Sequence, residues 1–174
     1  MQVTRRVFGI IFILLAGSPF LKSQPAALPE VSLSLDKNPS QFTGDAIGGA
    51  KQSLSAIVYK FEDEAILTTL ENALKRGVAV RLLMDSKEAS GKKSLARKAQ
   101  KAGAEVSLWG SKQEKLHAKC LIIDGREVIS GSFNWTDSAG ESNLEILLSF
   151  KNPATVKDFS AIFERLWEEG EPLK

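Results

Sequence analysis

Hydrophobic and polar positions along this chain switch repeatedly between a period of two and a period near 3.6. Val31-Ser32-Leu33-Ser34-Leu35 alternates residue by residue, which predicts a strand with one buried face. Residues 40–52 predict a short helix despite Gly44, Gly48 and Gly49, and Ser53–Phe61 predicts a second strand carrying Ile57, Val58 and Tyr59. Glu62–Arg76 is the best-marked helix. Glu62, Asp63 and Glu64 stand in its first turn, Lys75 and Arg76 in its last, and Gly77 is its stop. Ile66, Leu67, Leu70, Ala73 and Leu74 form its apolar stripe.

Val78–Met84 follows as an apolar strand, and Ala89–Ala102 as a basic helix ended by Gly103. Further strands are expected near Glu105–Leu108, Leu116–Ile123, Glu127–Ser130 and Leu144–Phe150. Asn152-Pro153 then opens a last helix with Val156, Phe159, Ile162, Phe163, Leu166 and Trp167 on one face. This alternation predicts an α/β domain, a mixed β-sheet flanked by helices.

The 174 residues suffice for one domain with a substantial core. The N-terminus reads separately. Met1–Arg6 is short and basic, Val7–Ala16 almost wholly apolar, and Gly17, Ser18 and Pro19 follow. That order predicts a secretory signal peptide over residues 1–23, with export to the periplasm or medium. The apolar run falls short of the ~20 residues of a comfortable membrane span, and a retained membrane anchor is the alternative. A Pro/Ala-rich linker over 24–30 then leads into a catalytic domain over 31–174.

The formal net charge of +2 says little, but its distribution is uneven. Residues 87–119 hold nine Lys or Arg against three Glu, whereas residues 120–174 hold five basic and ten acidic residues. A basic middle segment suits a polyanionic substrate, and a solvated helix face is the plainer reading of the same charges. Cys120 is the sole cysteine and lies in the apolar run Cys120-Leu121-Ile122-Ile123, so it reads as a small buried side chain. One His and one Cys cannot build a zinc site.

Candidate chemistry gathers around that one histidine. His117 and Lys119 flank Ala118, and on a strand such i, i+2 residues project side by side, roughly 6.5–7 Å apart. A turn at Asp124-Gly125 folds the next strand back and brings Gly131, Ser132 and Asn134 alongside. Gly131 permits close backbone approach, and Ser132 and Asn134 offer donors to phosphate oxygens. Asp124 stands at the turn, where it either shares in catalysis or only caps the hairpin. Lys112 and Lys115 precede the cluster as substrate-backbone contacts or as ordinary surface lysines. Trp109 and Trp135 read as core or interface residues.

The full pattern, His117-x-Lys119, Asp124, then Gly131-Ser132-x-Asn134, resembles the phospholipase D superfamily, whose HKD motif runs H-x-K-x4-D-x6-G-S-x-N. At ~5% usage per residue type, six fixed positions coincide about once in tens of millions of placements. The chain is similar to the members with one motif per chain, namely the Nuc-type endonucleases and the mitochondrial cardiolipin hydrolase group. The likeness runs from about Val31 through the C-terminal helix and includes Asn143-Leu144-Glu145.

The resemblance implies a phospholipase D/nuclease-like sandwich and a phosphodiesterase that needs no metal or other cofactor. One histidine attacks phosphorus to give a phosphohistidine, and a second protonates the leaving oxygen. Lys119 and Asn134 would offset charge on the non-bridging oxygens, and Glu145 would orient the histidine through its other ring nitrogen. The mechanism uses two imidazoles and this chain has one, so the resemblance implies a homodimer with a shared active site. The substrate expectation is DNA or RNA, cleaved nonspecifically, with a phospholipid such as phosphatidylcholine or cardiolipin as the alternative. A catalytically silent nucleic-acid-binding module is the third reading, and the intact motif weighs against it.

Overall fold

Eight strands form a single mixed sheet in the order β1-β7-β6-β5-β2-β3-β4-β8. The structure is a computed structural model, and it describes residues 29–33, 37–111 and 113–174. The expected signal peptide, most of the linker, residues 34–36 and Lys112 lie outside the described residues. No helix among those described is long and apolar enough to cross a membrane.

The elements are β1 (Glu30–Leu33), α1 (Pro39–Gly49), β2 (Ser53–Val58), α2 (Glu64–Lys75), β3 (Ala79–Asp85), α3 (Ser86–Ala89) and α4 (Ala96–Lys101). They continue with β4 (Glu105–Trp109), β5 (Cys120–Ile123), β6 (Glu127–Gly131), α5 (Asp137–Ser142), β7 (Ile146–Phe150), α6 (Pro153–Glu169) and β8 (Glu171–Pro172). β2, β3 and β4 run parallel, joined by helical crossovers, and every other pairing is antiparallel. The expected mixed sheet flanked by helices is the observed one.

Each face of the sheet has its own core. Leu54, Ala56 and Val58 of β2 join Leu82 and Met84 of β3 beneath Ile47 of α1 and Ile66, Leu70 and Ala73 of α2. The opposite face presents Ile57, Leu83, Cys120, Ile122 and Val128, covered by Val156 and Phe163 of α6. β2 is buried on both faces, and every position of Ser-Leu-Ser-Ala-Ile-Val is apolar or a small serine. Cys120 is buried as expected, and desolvation pushes its thiol up to about 12, so it stays protonated.

Arg81 of β3 fixes α6 in place. Its guanidinium donates to both carboxylate oxygens of Glu164, at 2.8 and 2.5 Å, and to Ser55 Oγ at 3.2 Å. It also lies 4.8 Å from the ring of Phe163 and 5.3 Å from that of Trp167. The planar fork serves as ion-pair donor and stacking surface at once, as a lysine could not.

Four expectations from the sequence need correction. The single helix expected over Ala89–Ala102 is two short ones. Asp85 caps α3 by accepting from Lys87 N and Glu88 N, both at 3.1 Å, and the chain then turns at Gly91. Leu95 N donates to Phe61 O at 2.9 Å and Leu95 is buried, which anchors the chain where α4 begins. The expected strand Leu116–Ile123 begins only at Cys120, because Ile57 and Ser130 are the last partners on its two sides. Strand Leu144–Phe150 begins at Ile146, after α5, a helix whose lack of an apolar stripe hid it; Thr136 caps α5 through Ala139 N. Ile162, placed on the buried face of α6 by periodicity, is 45% exposed.

The Asp124-Gly125 turn forms as expected. Asp124 and Gly125 have φ of 52° and 60°, and Arg126 N donates to Ile123 O at 2.9 Å, closing a tight hairpin between β5 and β6.

Candidate active site

The pairing register brings the chemistry to one edge of the sheet. Ile57, Cys120 and Ser130 lie side by side on β2, β5 and β6. Just beyond that row the chain places Tyr59 after β2, His117–Lys119 before β5, and Ser132 after β6. Since side chains alternate along a strand, Tyr59 and Ser132 continue the faces of Ile57 and Ser130 toward α6. This is the C-terminal end of the parallel strands, where β2 changes from a parallel neighbour, β3, to an antiparallel one, β5. Open α/β sheets bind ligands at such ends.

Asp85 sets the approach to the histidine. It is buried at the end of β3, and its Oδ2 accepts from Leu116 N at 3.0 Å. Leu116 is itself buried against the α6-side core, so the residue before His117 is held at backbone and side chain. Ser130 Oγ donates to Lys119 O at 2.8 Å, holding the following residues. His117 between these anchors is exposed.

His117 and Lys119 meet as expected. Lys119 Nζ is 3.2 Å from His117 Nδ1 and 3.5 Å from Nε2, and it donates to His117 O at 2.7 Å. Nearly equal distances to both ring nitrogens exclude alignment with either lone pair, so the ammonium lies against the ring and leaves a nitrogen clear for attack. Burial pushes the Lys119 pKa below the usual lysine value, and the Glu145 carboxylate opposes that shift. A partly desolvated ammonium acts more strongly on a phosphoryl oxygen than one in bulk water.

His117, Lys119, Gly131 and Ser132 share a cleft of about 470 Å³, whose remaining wall is largely apolar: Ile57, Ala118, Phe159 and Ile162. A Cβ on Gly131 would run into the Ile146 carbonyl oxygen, so the close approach of β6 to β7 requires glycine. Glu145 lies behind the cleft, 6% exposed. It accepts from Ser132 Oγ through Oε2 and from Asn143 Nδ2 at 3.1 Å through Oε1. Ser132 Oγ also accepts from Ile146 N at 3.2 Å, and Ser132 N donates to Ile146 O at 3.1 Å. The Ser132 donors expected to face phosphate are therefore engaged with Glu145 and β7. Among the described residues, the buried Oδ1 of Asn134 has no hydrogen-bond partner, so this amide holds unused bonding capacity.

Asp124 is not brought to this cluster. It stands at the far end of β5, and the four residues of that strand alone span more than about 10 Å. Its Oδ1 accepts from Gln52 N at 2.8 Å and Ser53 N at 2.9 Å, and its Oδ2 from Lys51 N at 2.9 Å. Burial alone would raise its pKa, but those backbone donors and Arg126 outweigh it and hold the carboxyl below its ordinary value. The ionised form therefore stabilises the fold above about pH 3.8, and that contribution is lost as pH falls through the lower folded value. Asp124→Asn is expected to cost about 1–2 kcal/mol at pH 7, the partial exposure of the carboxylate being allowed for. Urea titrations should show the gap to wild type shrinking below about pH 4, with turnover per folded molecule unchanged. A gap of constant size across pH would contradict this.

Lys115 is exposed two residues before His117, while Lys112 lies outside the described residues. Trp135 is core, edge-on to Phe61 at 5.3 Å, and Trp109 Nε1 donates to Glu169 at 3.0 Å. Sequence reasoning missed Tyr59 and the anchoring role of Asp85. A larger hollow of about 690 Å³ beside α1, α2 and α5 is lined by Asp45, Asp63, Asp137 and Glu141 with no basic side chain, so it does not suit an anionic substrate.

Residues 44–167 match the family described as "Cardiolipin synthase, PLD-like domain". The mitochondrial cardiolipin hydrolase of Danio rerio is 33% identical over 123 residues, covering 71% of this chain and 54% of that protein. A phospholipase D of Rickettsia conorii is 32% identical over 124 residues, covering 69% and 60% respectively. The chain thus spans between about half and three fifths of the length of these relatives. The crystal structure of Nuc, a phospholipase D family member from Salmonella typhimurium, superimposes with a TM-score of 0.77 at 28% identity, covering 84% of this chain and 97% of that one. The family match spans the His117–Lys119 edge of the sheet, and the chain belongs to the phospholipase D superfamily.

Proposed function

We propose that this protein is a metal-independent nonspecific endonuclease that hydrolyses DNA or RNA through a phosphohistidine on His117. The observation that carries the reading is the His117–Lys119 pair, an exposed imidazole with an ammonium against its ring, opening onto one cleft with Gly131 and Ser132. His117 attacks phosphorus, Lys119 offsets charge on the non-bridging oxygens, and the phosphoryl group passes from the leaving oxygen to the ring nitrogen. Water then takes it from the ring, so one hard displacement becomes two easier ones. Asn134 contributes its amide from the end of the motif, and Glu145, through Ser132, braces the cleft wall.

The leaving oxygen needs a proton, and a second imidazole from a second copy of the chain would supply it. Exposed apolar side chains support that reading. Ile162 of the cleft wall is 45% exposed, and Leu144 and Ile146, at the entry to β7, are 67% and 46% exposed, apolar surface suited to a self-complementary contact.

Nucleic acid is favoured by the charges at this end of the sheet. Lys87, Lys92 and Lys93 follow β3 and Lys115 precedes β5, all exposed, where a polyanion would extend from the cleft. A phospholipid is the second reading, favoured by the apolar wall of Ile57, Phe159 and Ile162 and by the likeness to cardiolipin hydrolases. The test is incubation of purified protein, in EDTA, with plasmid DNA, RNA and labelled vesicles of phosphatidylcholine or cardiolipin. Nicking or RNA cleavage in EDTA is expected; headgroup release alone would move the assignment to lipid, and inactivity on all three would overturn it.

A further inference from the structure

Tyr59, the only tyrosine of the chain, occupies a place that the motif does not name. Its ring centroid lies 4.4 Å from that of His117, with the planes at 54°. The same ring lies 5.0 Å from Lys119 Nζ. Lys119 therefore rests against two rings at once, and the ring carrying the ammonium also packs on the imidazole. The hydroxyl is tethered too: it donates to Glu88 Oε1 at 3.2 Å, and Glu88 Oε2 is 3.6 Å from Lys60 Nζ. Burial first, and then the Glu88 carboxylate, push the phenol above its ordinary value, so it keeps its proton.

We propose that Tyr59 is a positioning residue, whose ring holds the Lys119 ammonium against the His117 imidazole and fixes that imidazole for attack on phosphorus. The inference rests on the reading of His117 as nucleophile. The physical reason lies in how the two side chains are mounted. His117 is exposed and stands outside the sheet ladder, so the backbone anchors at Leu116 and Lys119 leave its side chain free to rotate. Lys119 likewise has a long stem and several rotamers. A tilted aromatic contact restricts the first, and attraction of the cation to the ring face restricts the second. Both restraints come from one side chain at the end of β2, itself tied to α3 by Glu88. Ring and tether have separate weights: the ring makes both contacts, and the hydroxyl only steadies it.

The test compares Tyr59→Phe with Tyr59→Met. A displacement of about 1 Å at a reacting group costs on the order of 10²-fold in rate. Tyr59→Met is accordingly expected to lower kcat by about 10²-fold with KM within about twofold of wild type, and Tyr59→Phe to retain kcat within about threefold. A loss in KM instead of kcat, a loss shared by the phenylalanine variant, or no loss in either would overturn the proposal. Because the chain has one histidine, its imidazole ¹⁵N and ¹H signals give a second readout that needs no substrate. Wild-type protein should show cross-relaxation from the Tyr59 ring to the His117 ring and to the Lys119 ε-methylene; its absence would overturn the proposal even if the methionine variant does not fold. These signals also separate two failures. An active His117→Ala variant would sink the reading of the site, whereas missing ring contacts would sink only the role of Tyr59.

Discussion

His117→Ala is expected to lower turnover by at least about 10⁴-fold while leaving the fold and the association state unchanged. The imidazole is exposed, lies outside both cores and contributes no hydrogen bond that closes the sheet, so its loss removes little from the folded state. Its neighbours are placed by other means: Lys119 through Ser130, Leu116 through Asp85. What disappears is the nucleophile and, if two copies meet, the acid as well. Light scattering with size exclusion should return about twice the chain mass for wild type and variant alike. Near-wild-type turnover by the variant would refute the assignment of His117.

The sequence made much of this legible, for reasons visible in particular residues. The β-forming run Ile57-Val58-Tyr59 and the mostly apolar run Val78–Met84 located the central strands, because burial on both faces of the sheet selects such runs. Asn152-Pro153 announced α6 because the Asn152 side chain accepts from Ala154 N and Thr155 N, and proline needs no partner at the first helical position. The site was legible because motif chemistry is local: His117, Lys119, Gly131 and Ser132 come from two adjoining strand ends of one hairpin.

What stayed hidden is tertiary. Tyr59 reads as one more β-former on β2, and only the register of β2 against β5 carries it to His117. Asp85 reads as a scattered carboxylate, and only the return of the chain before β5 gives it Leu116 N to hold. Asp124 sits within the motif, yet its side chain faces the β2 entry at Lys51–Ser53, seventy-odd residues away in sequence. Ile162 follows the helical period into the buried stripe, but it lines the cleft beside His117 and is exposed there.

Mixed dimers carry the second large expected effect, and they probe the claim on which the rest depends, that two copies of His117 serve one phosphoryl centre. Co-expression of wild-type and His117→Ala chains with different affinity tags allows the mixed species to be isolated. If each chain worked alone, the mixed dimer would keep about half the activity of wild type, one intact site of two. If the centre needs one imidazole to attack and another to protonate the leaving oxygen, the remaining His117 lacks its partner, and loss of general acid catalysis costs about 10²–10⁴-fold. The measurement is the turnover of the doubly purified mixed dimer. The shared-centre account predicts less than about one hundredth of wild-type activity; activity near one half would contradict it.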